Sequence, residues 1–136
     1  MADKSELVGE KGIQLKEAHF PSRAPIDAYG NGGFKFANMA HDGCLLCLPS
    51  GIYAWNISGL DDITVENFEK LFAEANDVEI LLIGTGENLV PIEAELREKL
   101  RAAQISADPM STGSAVRTYN VLVSEGRAVA AAFLAV

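Results

Sequence analysis

Residues 110–134 read Met-Ser-Thr-Gly-Ser-Ala-Val-Arg-Thr-Tyr-Asn-Val-Leu-Val-Ser-Glu-Gly-Arg-Ala-Val-Ala-Ala-Ala-Phe-Leu. Apolar residues recur at helical spacing in the first part, which predicts a helix over about residues 112–125. Gly126 follows this pattern, as glycine often does just beyond a helix. The apolar run over residues 128–134 then predicts a buried strand. The stretch is therefore one helix-then-strand unit of an α/β protein.

A second buried strand is predicted upstream, over residues 78–83, where the sequence is almost continuously aliphatic. Such a run is typical of a strand that is covered on both faces. It ends in Gly84-Thr85-Gly86, and a further short segment follows at residues 105–108. Strand and helix patterns alternate after residue 62, which predicts an α/β core with right-handed crossovers between parallel strands.

Two more helices are predicted on either side of that strand. Thr64 is suited to cap the first, because its hydroxyl can accept a hydrogen bond from the first turn. The apolar residues at helical spacing in this helix are Val65, Phe68, Leu71, Phe72 and Ala75. Pro91 is suited to be the first residue of the second helix. The apolar stripe of the second helix is Ile92, Leu96, Leu100 and Ala103.

Residues 34–57 have a different pattern, in which short β segments alternate with turn residues. The predicted strands are residues 34–39, 44–48 and 52–57, and the predicted turns are residues 41–43 and 49–51. We interpret them as an antiparallel meander. It would form a β layer separate from the α/β core.

Length and composition limit the domain organisation. The chain has 136 residues, of which 49% are hydrophobic, and area scaling predicts that about two-thirds of its surface is buried on folding. We predict a flexible tail over residues 1–20 and a single α/β domain over residues 21–136.

Charge and hydropathy exclude several classes of protein. The net charge of -8 repels phosphate groups, which disfavours binding to nucleic acid. The first residues lack the pattern of a signal or transit peptide. The longest apolar run, residues 128–136, is shorter than the roughly 20 residues of a spanning helix. We therefore expect a soluble cytoplasmic protein without direct membrane insertion.

Cys44 and Cys47 have the spacing of half a zinc or redox site. Residues three apart in a strand point to opposite faces, so the two thiols are predicted to diverge. We interpret both as small buried apolar residues. We expect no metal site and no cofactor.

His41 precedes Asp42 in a predicted turn, and a pairing of the two for base catalysis would need a nucleophile from elsewhere in the fold. No serine or cysteine lies in a nucleophile pattern. We interpret His41 as a turn residue on the surface. The sequence therefore holds no complete catalytic set, and we expect a protein that is not an enzyme.

Gly84, Thr85 and Gly86 follow a buried strand and precede a helix, the place where α/β proteins often bind phosphate. The segment lacks the third glycine of a dinucleotide fingerprint and the Gly-Lys-Ser ending of a P-loop. Glu87 makes the approach acidic. A tight exit from the strand is the structural alternative.

The third predicted helix has the clearest candidate binding site. Its start, Thr112, Gly113 and Ser114, would present free backbone N–H groups, and Arg117 would add a two-pronged donor for carboxylate or phosphate. Asn120 lies on the same polar side. If the strands before Gly84 and after residue 105 are parallel neighbours, both helix starts open on one sheet edge. A solvated polar face is the alternative.

The chain also resembles a known family in four blocks. They are Ile26-Asp27-Ala28-Tyr29-Gly30 with Gly33-Phe34; Pro49-Ser50-Gly51-Ile52 with Trp55; Gly84-Thr85-Gly86 with Pro91; and Met110-Ser111-Thr112 through Arg117-Thr118-Tyr119-Asn120 to Glu125-Gly126-Arg127. These blocks resemble a family of small, mostly uncharacterised bacterial and archaeal proteins that includes a mitochondrial assembly factor for respiratory complex I. The resemblance covers roughly residues 20–136.

This resemblance implies a three-layer β+α/β/α fold with a mixed central sheet and no established enzymatic activity. The leading hypothesis rests on the arginine-centred polar face of the third helix and the lack of a catalytic set. It is a non-catalytic binding or assembly protein that meets protein partners, including subunits of a respiratory membrane complex, through the third helix and neighbouring loops. The rival hypothesis is a small-molecule site for an anion at the two predicted helix starts, with weak hydrolase or transferase activity. The sequence leaves the partner and the oligomeric state open.

Overall fold

A computed structural model of the protein describes residues 20–136, so the tail predicted for residues 1–20 lies, except for Phe20, outside the described residues. The strands are β1 (Ala28–Gly30), β2 (Gly33–Phe36), β3 (Met39–Asp42), β4 (Leu45–Leu48), β5 (Gly51–Ala54), β6 (Ile80–Gly84), β7 (Ser106–Met110) and β8 (Val129–Phe133). The α-helices are α1 (Glu69–Ala73), α2 (Ala94–Ala102) and α3 (Thr112–Ser124). Phe20 forms an isolated antiparallel bridge with Ile52.

The strands form two sheets. A small antiparallel sheet has the order β1-β2-β3, and a five-stranded sheet has the order β5-β4-β8-β6-β7. In the larger sheet β6 is parallel to both β7 and β8, whereas β4 is antiparallel to β5 and to β8. The predicted mixed central sheet is confirmed.

Two hydrophobic clusters lie on opposite faces of the central sheet, because side chains alternate along each strand. Along β8, Ala130 and Ala132 belong to one cluster, and Ala131 and Phe133 belong to the other. The first cluster contains α2 and the segment around α1; the second contains α3 and the small sheet. The β+α/β/α layering implied by the resemblance is confirmed.

The predicted meander is wrong in one respect, since its strands divide between two sheets. Strands β4 and β5 belong to the central sheet, and only β1, β2 and β3 form the separate layer. The small layer is held on the central sheet by Phe34, whose ring lies 5.7 Å from that of Phe133. The strand predicted over residues 34–39 is also interrupted, because Ala37 and Asn38 adopt positive φ angles of 50° and 63°, as in the turns typical of two-residue hairpins.

The third helix and its boundaries are confirmed. Helix α3 ends at Ser124, and Gly126 follows with a positive φ of 71°. At its start, the Ser111 hydroxyl accepts a hydrogen bond from the Ser114 N–H. This side chain satisfies one of the free donors of the first turn.

The first two helices differ from their predictions. The segment after Thr64 divides into a 3-10 turn (Val65–Phe68), the short helix α1 and a second 3-10 turn (Ala75–Asp77). Thr64 makes no capping hydrogen bond with its side chain; its hydroxyl accepts instead from the Asn67 side-chain Nδ2 at 3.5 Å. Pro91 is not the first residue of α2, which begins at Ala94. Residues 91–93 are not helical, and Ile92 is buried in the core before the helix starts.

Within residues 20–136, none of the helices is long and apolar enough to cross a membrane.

Candidate binding surface at the start of the third helix

The loop after β6 and the start of α3 meet at one edge of the central sheet. Strands β6 and β7 are parallel neighbours, and Gly84 is opposite Met110. The chain therefore leaves both strands on the same side, because the two strands meet the condition of parallel neighbours on which the sequence prediction depended. Only one of the two exits is a helix start, however, because α2 begins at Ala94, well after Gly86. The prediction of two helix starts at this edge is wrong.

Thr112 joins three segments at this edge through its hydroxyl and its backbone. The Gly86 N–H donates to Thr112 Oγ1 at 3.0 Å, and the Thr112 N–H donates to the Gly86 carbonyl at 2.8 Å. The Thr112 hydroxyl donates to the Leu134 carbonyl at 2.8 Å. The residue is 0% exposed, so its side chain stabilises the fold and is not accessible to a partner.

Gly84 and Thr85 also make contacts within the fold. A Cβ on Gly84 would lie 3.0 Å from the Thr112 Cα, so a side chain at this position would require Thr112 to shift. The Thr85 hydroxyl lies 2.6 Å from the Asn88 carbonyl and accepts from the Val90 N–H at 3.0 Å. These contacts support the structural alternative to a phosphate site at this segment, which was a tight exit from the strand.

Asn120 also makes contacts within the fold. Its Oδ1 accepts a hydrogen bond from the Ile26 N–H at 2.8 Å, and its Nδ2 donates to the Ile26 carbonyl at 2.9 Å. Ile26 is buried, so these two bonds satisfy backbone groups that have little access to water. The carboxamide fastens the segment before β1 to α3.

Arg117 lies at the surface one turn into α3. Its side chain is exposed, and its Nη2 donates to the Ser114 hydroxyl at 3.3 Å. Both side chains are thereby held over the first turn of the helix. Of the polar groups predicted from the sequence, Ser114 and Arg117 are the two that α3 presents near its start.

Tyr29 completes this surface, although no pattern in the sequence marked it as a site residue. A Cβ on Gly113 would lie 2.5 Å from the Tyr29 hydroxyl oxygen, so the absence of a side chain at Gly113 leaves room for the phenol. Tyr29 is 41% exposed. The only available signal was its place in one of the resembling blocks.

A shallow cavity of about 300 Å³ lies between these groups. It is lined by Tyr29, Gly86, Glu87, Ser111, Gly113, Arg117 and Val136. We call these residues together with Ser114 the α3-start surface. The Glu87 carboxylate and the Arg117 guanidinium line the same cavity, which reduces its attraction for a free anion.

The two cysteines diverge as predicted, since Cys47 packs in the cluster that contains α3 and Cys44 packs against the opposite cluster. Cys47 is fully buried, and this burial raises the pKa of its thiol to about 12. Cys44 is half-buried, which also raises its pKa. The prediction of burial is therefore confirmed for Cys47, whereas Cys44 is only partly buried.

The interpretation of His41 as a surface residue in a turn is wrong. His41 lies in β3 opposite Phe34 and is 8% exposed. Its Nε2 is 3.0 Å from the Cys44 carbonyl, to which it donates. Burial lowers the pKa of this imidazole, although the Cys44 carbonyl and Asp42 partly oppose the effect.

The fold and this surface define a small α/β domain that presents a tyrosine and an arginine beside a helix start. Residues 26–134 match the family described as "Protein of unknown function (DUF498/DUF598)". The chain belongs to this family.

Similar proteins include characterised and uncharacterised ones. An uncharacterised protein of Rhodobacter capsulatus is 41% identical over 119 residues, which cover 88% of this chain and 90% of that protein. A Mus musculus protein named NADH dehydrogenase (ubiquinone) 1 alpha subcomplex assembly factor 3 is 30% identical over 129 residues. That alignment covers 95% of this chain and 70% of the mouse protein.

A solved structure has the same fold. The crystal structure of a Bartonella henselae protein, described as an outer membrane protein, superposes with a TM-score of 0.83 at 54% identity. The match covers 86% of this chain and 98% of that chain.

Proposed function

We propose that this protein is a non-catalytic binding protein that assists the assembly of a membrane-bound respiratory complex. The observation that carries the proposal is the alignment of 95% of this chain with a protein named as an assembly factor for NADH dehydrogenase. The alignment extends over nearly the whole chain rather than one segment, which supports a shared mode of action.

The α3-start surface is the place where we propose that a protein partner binds. Tyrosine and arginine are enriched among the residues that dominate the energy of protein interfaces. Here Tyr29 and Arg117 stand side by side over Gly113, and both are exposed. A partner that covers them would bury an aromatic ring and a guanidinium together without any rearrangement of the backbone.

The rival hypothesis, a site for a small anion, is less well supported. Thr112 is fully buried, and the first-turn N–H of Ser114 is already bonded to the Ser111 hydroxyl. Glu87 places a negative charge in the same cavity as Arg117. Two of the groups that an anion would use are therefore occupied, and the charge of Glu87 opposes its binding.

The proposal places the protein in the bacterial cytoplasm, where it would meet newly made subunits before or during their assembly at the membrane. Fractionation of cells followed by immunoblotting tests this location. Recovery of the protein in the outer-membrane fraction would contradict it.

The function itself is tested by deletion and complementation in a bacterium that contains both this gene and a respiratory NADH dehydrogenase. We expect deletion to lower the amount of assembled complex on native gels and the wild-type gene to restore it. Arg117→Glu should restore it poorly, whereas the matched control Arg97→Glu, on the opposite side of the sheet, should restore it fully. An unchanged amount of assembled complex after deletion would refute the proposed function.

A further inference from the structure

A groove continues from the α3-start surface along the same edge of the central sheet. It consists of two neighbouring cavities of about 360 Å³ and 440 Å³ that share Leu60, Thr85 and Val90 in their walls. The second cavity also shares Gly86, Glu87 and Val136 with the cavity next to Arg117. We call the two cavities the Leu60 groove.

Exposed aliphatic side chains lie at this groove. Leu60 is 45% exposed and forms part of both cavities, and Leu89, in the loop that borders them, is 59% exposed. The hydroxyl of Thr85 fixes this loop on both sides of Leu89, through the Asn88 carbonyl and the Val90 N–H. An exposed leucine that lines both cavities, with a second exposed leucine in the bordering loop, favours a contact surface at the groove.

The charged side chains that line the two cavities have the same sign. Asp61 and Glu93 line the first cavity and Glu87 lines the second, and within residues 20–136 neither cavity is lined by lysine, arginine or histidine. The groove is therefore an apolar surface with an acidic border. Such a border attracts cationic groups and repels anionic ones, including the headgroups of acidic lipids.

We propose that the Leu60 groove binds an extended segment of a partner protein in which aliphatic residues are flanked by lysine or arginine. The aliphatic side chains would pack against Leu60 and Val90, and the cationic side chains would pair with Asp61, Glu87 and Glu93. The proposal depends on the protein-binding role proposed above. It adds the chemistry of the bound segment and a second contact surface next to Arg117.

The test is a selection with the whole protein as bait and a random peptide library displayed on phage as the probe. We expect the enriched peptides to contain aliphatic residues next to lysine or arginine. The affinity of a fluorescent copy of the consensus peptide would then be measured by anisotropy with the wild-type protein and its variants.

Three variants and one control make the measurement specific. Asp61→Lys and Glu93→Lys should each weaken binding about five-fold, the upper range for an exposed ion pair, and added salt should weaken wild-type binding. Leu60→Asp should weaken it about ten-fold or more, because it removes a buried aliphatic contact. Glu125→Lys makes the same charge change at the other end of α3 and should have no effect. Because all four residues are exposed, thermal melting should show that each variant is folded.

The outcomes separate this proposal from the proposed function. Failure to enrich basic, aliphatic peptides, or binding that Leu60→Asp and Asp61→Lys leave unchanged, would overturn the assignment of the groove. A normal level of assembled complex in the deletion strain would instead refute the assembly role, whatever the peptide selection finds.

Discussion

The hydroxyl of Tyr29 lies directly over the backbone of Gly113, so close that a Cβ on Gly113 would come within 2.5 Å of the phenol oxygen. This relationship links the small sheet, which carries Tyr29, to the first turn of α3. It also predicts that the two positions are energetically coupled, because a methyl group on residue 113 can be accommodated only if the phenol moves.

A double-mutant cycle tests that coupling. In the Tyr29→Ala background, Gly113→Ala should stabilise the protein by about 0.5–1 kcal/mol, the usual gain of alanine over glycine in a helix. In the wild-type background, displacement of the phenol should offset this gain and leave the free energy of unfolding nearly unchanged. The coupling energy should be about 0.5–1 kcal/mol by chemical denaturation. Equal effects in the two backgrounds would show that the phenol does not occupy this position.

Asn120 should contribute to stability through its two hydrogen bonds with Ile26. Asn120→Ala leaves a buried backbone N–H and a buried carbonyl without partners, which should cost about 2 kcal/mol. Chemical denaturation measures the loss, and hydrogen exchange should show faster exchange of the Ile26 amide. Ser124→Ala, on the exposed part of the same helix, should change stability by less than about 0.5 kcal/mol. A similarly small effect of Asn120→Ala would contradict the proposed fastening of residues before β1.

His41 should make the stability of the fold dependent on pH. Burial lowers the pKa of this imidazole in the folded protein, whereas the unfolded chain binds the proton near pH 6.5. The stabilisation from neutral His41 is therefore complete above about pH 6.5 and is lost as the pH falls below that value. His41→Gln should reduce the loss of stability between about pH 7.5 and pH 5.

The wild-type protein, measured over the same pH range, is the control for that experiment. A wild-type slope that persists in His41→Gln would show that other groups cause it.

Cys47 should be inert in the folded protein. Its thiol is fully buried, and burial raises its pKa to about 12, so almost no thiolate is present at neutral pH. In a Cys44→Ala variant, a thiol reagent should label Cys47 only as fast as the protein unfolds. In the converse variant, Cys47→Ala, half-buried Cys44 should react faster. Rapid labelling of Cys47 without denaturant would contradict the packing described above.

Local patterns in the sequence predicted the elements that depend on local periodicity. The limits of α3, the burial of β6 on both faces and the divergence of the two cysteine side chains follow from the geometry of a single helix or strand. The first helix was predicted less well. Its apolar residues have helical spacing, but the segment forms two 3-10 turns and the short helix α1 instead of one continuous helix. This arrangement also buries Phe68 and Leu71.

The distribution of the strands between two sheets could not be predicted in the same way. Strands β2, β3, β4 and β5 are all short and separated by tight turns. What distinguishes β4 is its pairing with β8, in which Cys47 is opposite Ala131. A pairing between strands so far apart in the chain does not change the apolar pattern of either strand, so it could not be predicted from that pattern.

The candidate site, too, could be predicted from the sequence only in part. The sequence correctly indicated that the loop at Gly84 and the start of α3 share one edge, because parallel strands deliver their carboxyl ends together. It did not show that Gly86 and Thr112 bond to each other, or that Asn120 bonds to Ile26. It also did not show that Tyr29 lies over Gly113.

The sequence by itself determined the third helix, the buried strand before Gly84 and the last strand, because these elements follow from apolar patterns among neighbours within a few residues. Only the tertiary structure decided which polar side chains remain available to a partner. Thr112 and Arg117 are both polar residues in the first turns of α3. Thr112 is fully buried and bonded to the last strand segment, whereas Arg117 is exposed. Thr112 is inaccessible because Gly86 and Leu134, which are distant from it in sequence, take up its hydrogen-bonding groups. No such segment of the described chain covers Arg117, so its guanidinium remains available to water or to a partner.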